Sequence, residues 1–446
     1  MSISLNKPAL SFQQIINMNV GFFGIQYSFG LQQSAVNPIY DFLGASPDQI
    51  PLLNLAGPVT GLLIQPIIGA LSDKTWHPRF GRRKPYFFIG AMLCSIALFL
   101  YPFSHSLWMA AGLLWVLDAG NNTAMEPYRA FIADKLPSNQ LATGFLSQSF
   151  FTGLGITLAN VSLFVFQEFI PGKYGSIPYW VFGSFFLGSV CSIGSVWWSM
   201  HKTPEIPPTP DELAALKASK KSVFDPFVEI AHAIKDMPRV MWQLALVYLF
   251  QWYALFCYWQ NASKSIAQSV WKTSPSANPQ LYEKAVGWTG LVNGWYNVAT
   301  FLSAFALVGL AKKYSPKMVH LTCLLVAGIG LLIFPHIENK YLLFAPMTGF
   351  GIAWASMMGV PYLMVVGNIP KERYGVYMGI INMMIVIPMI LQNLTFGYIL
   401  KHFLNNDSGK AITFAGIFLV IAASATSLIK SAKPSDDVVL PVGGGH

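Results

Sequence analysis

Charge is what this sequence has least of. Only 11% of its 446 residues are Asp, Glu, Lys or Arg, against about 25% in an ordinary soluble domain. So few charges cannot cover a soluble globule of this size, and 54% of the residues are hydrophobic. A soluble enzyme, a disordered chain and a nucleic-acid binder are excluded, in spite of a net charge of +9. Cysteine is scarce as well. Cys94, Cys191, Cys257 and Cys323 are far apart and each lies in an apolar run, so they suggest neither a disulfide framework nor a metal site. They read as small apolar filler. No H-E-x-x-H, G-x-S-x-G or P-loop pattern occurs and the eight histidines are scattered, which leaves an intramembrane enzyme without a motif. No cofactor or metal is implied. The first apolar run is too long for a cleavable signal peptide and is followed by others.

What the chain has instead is long apolar runs. A spanning helix needs roughly 20 mostly apolar residues. Twelve such runs are expected, at 14–41, 51–71, 85–104, 107–131, 141–169, 177–200, 239–262, 285–310, 317–335, 341–367, 373–400 and 411–430. The alternating ten-residue segments of a barrel are absent, so the fold class is an all-α membrane bundle. With the N-terminus inside, twenty Lys and Arg fall in inside segments, among them Lys74, Arg79, Arg82, Arg83 and Lys84. Seven fall outside: Lys173, Lys264, Lys272, Lys284, Lys340, Lys401 and Lys410. Cytoplasmic loops hold the excess of basic residues, so both termini are expected in the cytoplasm and the protein in the cell membrane.

Residues 201–238 interrupt the pattern and divide the chain. Thr203 to Pro210 is too rich in proline for a helix. Thr209, Pro210, Asp211 and Glu212 then read as the start of a short helix through Lys221. Phe224, Phe227, Ile230, Ala231 and Ile234 predict a second, amphipathic one along the membrane face. Residues 1–200 and 239–446 are therefore expected as two six-helix bundles, the second with a cytoplasmic tail in which Gly443-Gly444-Gly445-His446 is left unread. The halves echo each other: Gly57 and Gly61 match Gly290 and Gly294, Pro127-Tyr128 matches Pro361-Tyr362, and Leu136-Pro137 matches Ile369-Pro370, at offsets of 233 or 234. Duplicated six-span halves are the architecture of a rocking transporter with its substrate between them. The glycine pairs are expected to let helices approach closely.

Three charges sit inside a run, all in the fourth: Asp118, Glu126 and Arg129. Such charges are costly and mark ion or substrate paths; the bland alternative is a buried structural ion pair. The matching positions in the second half are Ile352, Val360 and Leu363, so the fold does not need them. Asp118 and Arg129 lie about 16 Å apart on nearly one face, too far to pair. Asn122 shares the stripe, Glu126 is within reach of Arg129, and Pro127 between them is expected to kink the helix. Burial disfavours the charged form of a lone carboxylate, which suits Asp118 to carrying a proton and contacting the substrate.

Several segments are similar to one family. Gly24 to Tyr27, Leu31 to Ser34, Gly57-Pro58, Gln65-Pro66, Gly69 and Ser72-Asp73-Lys74 resemble the first two spans of the sucrose–proton symporters. Arg79-Phe80-Gly81-Arg82-Arg83-Lys84-Pro85 resembles their basic loop, a variant of the major facilitator loop motif. Leu117-Asp118, Asn121-Asn122, Pro127, Arg129-Ala130 and Ala133-Asp134 resemble their span-four signature. The resemblance implies the major facilitator fold and cation-coupled uptake of a glycoside by alternating access. It assigns proton coupling and sugar binding to Asp118 and importance to Arg129. It also implies a cytoplasmic gate of Asp73 and the basic loop, with Asp134 paired to Arg82 or Arg83. The chain departs from the plant members at Pro47, at Gln260-Asn261 and at Gly287, and Glu126 has no counterpart there.

Sugar sites combine hydroxyl hydrogen-bonders with aromatic faces. Gln26, Asn122, Trp252 and Trp354 lie on spans one, four, seven and ten, the cavity-lining spans that the resemblance implies; helix contacts or an interface belt are the bland reading. The expected partners are a small sugar, such as the disaccharides sucrose or maltose, a co-transported proton and the bilayer. No nucleic acid is expected, and the protein is expected to work as a monomer. Sodium coupling, export and sugar sensing remain open.

Overall fold

Backbone groups in lipid must be satisfied within the segment, which leaves apolar runs little choice but to coil into helices. The computed structural model describes residues 8–210, 214, 225–365 and 374–429. Among these, twelve helices of 17 to 35 residues follow one another. The first six are α1 (Phe12–Phe42), α2 (Ala56–Lys74), α3 (Lys84–Leu100), α4 (Leu107–Lys135), α5 (Leu141–Phe169) and α6 (Tyr179–Lys202). The second six are α7 (Arg239–Trp271), α8 (Pro279–Lys313), α9 (Pro316–Ile333), α10 (Phe344–Val365), α11 (Tyr374–His402) and α12 (Ser408–Thr426). Side chains of Ser11, Ser106, Asn278, Ser315 and Asp407 cap the starts of α1, α4, α8, α9 and α12, supplying acceptors for otherwise orphaned N–H groups.

Nine of the twelve are long and apolar enough on their own to cross a membrane. The other three, α1, α4 and α8, are longer than most but diluted by Asn, Gln and charged residues. Packing repeats between the halves. α1 lies against α5 and α6, α3 against α4 and α6, and α2 against α4; correspondingly α7 lies against α11 and α12, α9 against α10 and α12, and α8 against α10. The halves meet through α5 with α8 and α2 with α11, an exchange that a two-fold relation between them produces.

Several boundaries differ from expectation. α7 runs to Trp271, nine residues beyond the expected end of the seventh run at 262. Lys264, assigned above to an outer loop, is a buried residue of α7 at 5% exposure. Its polar neighbours masked the continuing helix. α8 starts at Pro279 and takes in Glu283 and Lys284. Pro127 remains within a continuous α4. The amphipathic linker helix is present at Asp225–Lys235, with Ile230 packed under Gly379 of α11. The helix expected through Lys221, Ile369-Pro370 and the terminal Gly443 to His446 lie outside the described residues.

The paired glycines do unlike work. A Cβ on Gly290 would stand 2.6 Å from the Asn160 carbonyl oxygen of α5, a backbone contact only glycine permits. At Gly57 the nearest atoms are 3.6 Å away and at Gly61 3.9 Å, so those two leave room around α4 and do not seal a helix contact.

Candidate functional site

The room in front of Gly57 belongs to Asp118. This residue is 1% exposed and sits between α4, α1 and α2. Gln32 of α1 donates from Nε2 to its Oδ1 at 2.8 Å; Oδ2 has no hydrogen-bond partner. No cation contacts it among the described residues. One turn on, Asn122 donates to Thr60 Oγ1 at 3.0 Å and accepts from Gln65 Nε2 at 2.6 Å, both from α2. A further turn on, Glu126 lies beside Gly69. Residues 118, 122 and 126 thus form one stripe of α4, four residues apart, facing a glycine-lined strip of α2.

Glu126 and Arg129 form an ion pair at 3.7 Å with side chains 40% and 20% exposed, too open for a buried structural pair. Arg129 also donates to the Met125 sulfur at 3.3 Å. Gln26, buried on α1, meets the same sulfur at 3.8 Å, while its Oε1 lacks a partner. Gln26 therefore belongs with Met125 and Arg129, a turn or more from the carboxylate of Asp118 along α4.

Trp252 and Trp354 come together in the other half, with ring centroids 5.7 Å apart. Trp259, which the sequence did not single out, completes the cluster at 5.5 Å from Trp354. Sequence reasoning also passed over a seam of neutral hydrogen-bonders between the halves. Asn293 of α8 donates to Ser34 of α1 at 3.1 Å and accepts from Tyr258, and Ser34 donates to Asn160 of α5. Asn37 donates to the Trp259 carbonyl at 3.4 Å, and Asn393 of α11 donates to the Asn54 carbonyl at 3.2 Å. Gln260, Gln392 and Asn393 are chained by bonds of 2.7 and 2.8 Å. Their repeated amides in otherwise apolar runs were the available signal.

The basic loop closes the end of the bundle where α2 ends and α3 begins. Arg83 contacts Asp73 at 2.6 Å and Asp134 at 2.8 Å; Arg82 takes the Asp73 carbonyl at 2.7 Å and its carboxylate at 3.5 Å. Burial opposes the charge on Arg83, but Asp134 and Asp73 outweigh it and hold the guanidinium more firmly protonated than usual. All four residues belong to the first half, so in this conformation the cluster does not bridge the halves. Its unforeseen member is Glu205, just beyond α6. The carboxylate of Glu205 accepts from the backbone N–H groups of Arg82, Arg83 and Lys84 at 2.7, 3.0 and 2.9 Å, a charge placed on the positive end of α3. Gly81, at φ +79°, makes this approach possible, since a Cβ there would fall 2.5 Å from the carboxylate.

Two pseudo-symmetric sets of six helices around a polar interior, with one partly unpartnered carboxylate within it, define a membrane transporter of the major facilitator type. The chain belongs to the Major Facilitator Superfamily, whose pattern it matches over residues 18–393. It is similar to the sucrose transport protein SUT5 of Oryza sativa subsp. indica, 24% identical over 489 residues, covering 95% of this chain and 88% of that one. To the sucrose transport protein SUC3 of Arabidopsis thaliana it is 32% identical over 133 residues, 25% of this chain and 22% of that one. Among solved structures, a mutant form of the nucleoside transporter NupG superposes with TM-score 0.74 at 12% identity, covering 94% of this chain and 99% of that one. A D-xylose–proton symporter superposes with TM-score 0.65 at 16% identity, covering 94% and 98%. The relatives and the fold are those of transporters and not of enzymes.

Proposed function

We propose that the protein is a secondary active transporter that moves a sugar together with a proton by alternating access. In this reading the basic loop and both termini face the cytoplasm, Asp118 is the coupling group, and the protein works as a monomer in the cell membrane. The substrate lies between the Asp118–Asn122 stripe and the Trp252–Trp354 cluster, with Gln26 below it and Glu126–Arg129 towards the cytoplasmic mouth. Asp73, Arg82, Arg83 and Asp134 hold the cytoplasmic gate. The sugar assignment is supported by the sucrose-transporting relatives and by neutral amides beside indole faces, which suit hydroxyl-rich solutes.

The single observation that carries the coupling is Asp118, buried with one oxygen held by Gln32 and the other empty. Such a group changes protonation at low cost because, among the described residues, no fixed cation balances its charge. A proton moving through ~100 mV releases ~2.3 kcal/mol, enough for roughly 50-fold accumulation. The test is sugar-evoked proton uptake into proteoliposomes over a disaccharide panel led by sucrose and maltose. Uptake is expected for one of them. Asp118→Asn is expected to abolish accumulation while sugar exchange at equal concentrations persists. Accumulation at the unaltered rate by Asp118→Asn would overturn the assignment, and uptake driven by sodium in place of protons would overturn the choice of ion.

A further inference from the structure

We propose that Asp41, Lys264 and Tyr282 form the outer gate, a charged lock between the two halves that separates each time the cavity opens outward. The proposal rests on the alternating-access reading above, but on neither the solute nor the coupling ion.

Asp41 is the penultimate residue of α1; Lys264 lies in α7, seven residues before its end; Tyr282 is in the first turn of α8. The three therefore come from both halves and meet at the end of the bundle opposite the basic loop. Lys264 Nζ stands 3.1 Å from Asp41 Oδ1, with the two side chains 6% and 3% exposed. The Tyr282 hydroxyl donates to Asp41 Oδ2 at 2.5 Å, so both carboxylate oxygens are engaged. Phe42 roofs the site, its ring 5.7 Å from Tyr282 and 6.1 Å from Trp180. Beside it Trp180 of α6 donates across the seam to Glu283 of α8 at 3.1 Å.

On the outer side of the lock lies a cavity of ≈ 490 Å³ whose lining includes Asp41, Lys264, Lys173, Glu283, Gln268 and Ser408. On its inner side begins the neutral seam of Asn37 and Ser34. The pair thus stands between a vestibule and the interior. A buried ion pair suits that place. Desolvation nearly cancels its attraction, so it holds the closed form with little net stability, whereas loss of one partner leaves an uncompensated buried charge. Opening rehydrates both ions from the vestibule; closing demands that both return together. Neutral bonds such as Asn293 to Ser34 carry no such requirement.

The experiment reads access from outside. Ser34, 5% exposed, is seven residues or about 10 Å inward of Asp41 along α1. In a Ser34→Cys background, intact cells are treated with a membrane-impermeant thiol reagent and labelling is corrected with the same proteins bearing Ser34. Asp41→Asn and Lys264→Met are each expected to raise the labelling rate roughly tenfold or more, because the closed form alone loses its compensation. The exchange of Asp41→Lys with Lys264→Asp is expected to bring the rate back towards the starting value. Should either single variant fail to reach the membrane, Tyr282→Phe is read instead, with a smaller but measurable acceleration. Unchanged rates, or an exchange no slower than the single variants, would overturn the proposal. A protein that moves no sugar yet still opens faster on losing Lys264 would keep the gate and discard the sugar.

Discussion

Two carboxylates illustrate how differently the same side chain is treated in one bundle. Asp118 receives a single donor and keeps one oxygen empty; Glu205 collects three backbone N–H groups. In the proposed mechanism the first changes state, while the second stays fixed. Glu205→Gln keeps the shape but loses the charge that makes these bonds strong, and is expected to destabilise the protein by ~1–3 kcal/mol, read as a lower unfolding midpoint in detergent. Glu338 gives the contrast. Its hydrogen bond and proximity to Lys272 hold its carboxyl below the ordinary value, so any contribution is present at neutral pH and fades as pH falls through that lowered value. The pair is fully solvated, and Glu338→Gln is expected to leave the midpoint unchanged. Asp118 was legible in the sequence because a charge inside an apolar run announces itself. Glu205 was not, since its partners are main-chain groups more than 120 positions away.

At the level of helices, hydropathy undersold three that carry polar groups into the interior of the bundle. α1, α4 and α8 are the three whose composition alone does not mark them as spans, and they carry Gln32, Asp118 and Asn293. The same polarity hid the last turns of α7, where Lys264 looked like a loop residue because its partner on α1 lies 223 positions away. Glycine spacing identified a repeat but not its use. Gly290→Ala drives a methyl into the Asn160 carbonyl and is expected to cost ~1–3 kcal/mol by overpacking, measured as loss of thermal stability and slowed transport. Gly57→Ala meets only ordinary contacts at 3.6 Å and should be tolerated. Gly57→Leu, by filling the space before Asp118, should abolish solute uptake without lowering the unfolding midpoint.

For the whole molecule, equivalent helices make equivalent contacts in each half, and the halves touch through α5 with α8 and α2 with α11. The bonds of Asp41 with Lys264, Asn37 with the Trp259 carbonyl and Asn393 with the Asn54 carbonyl fasten the two bodies together towards the end opposite the basic loop. Cysteines placed at Asn54 and Asn393, bonded at 3.2 Å through side chain and carbonyl, are expected to cross-link on oxidation and arrest transport, with a reductant restoring it. Transport surviving full cross-linking would show that the halves need not part there. The repetition of the halves was readable from sequence because duplication leaves offsets. The fastening was not, because residues such as Asn54 and Asn393 acquire their meaning only when 339 positions of chain are folded back.

The composition of that fastening bears on the water outside. Among the described residues its bonds are mostly those of amides and hydroxyls, and Asp41 and Lys264, 3% and 6% exposed, are paired at the floor of the vestibule. Lys401 and Asp48, 3.7 Å apart with the lysine 57% exposed, offer screening something to act on. Mobile ions shorten electrostatic reach to ~3 Å at 1 M, yet dipoles in contact and enclosed charges feel little of this. The closed orientation should then hold in brine nearly as in dilute medium, while the open one, in which Asp41 and Lys264 stand apart and hydrated, gains from screening, so that Ser34→Cys labelling should quicken modestly across a salt series.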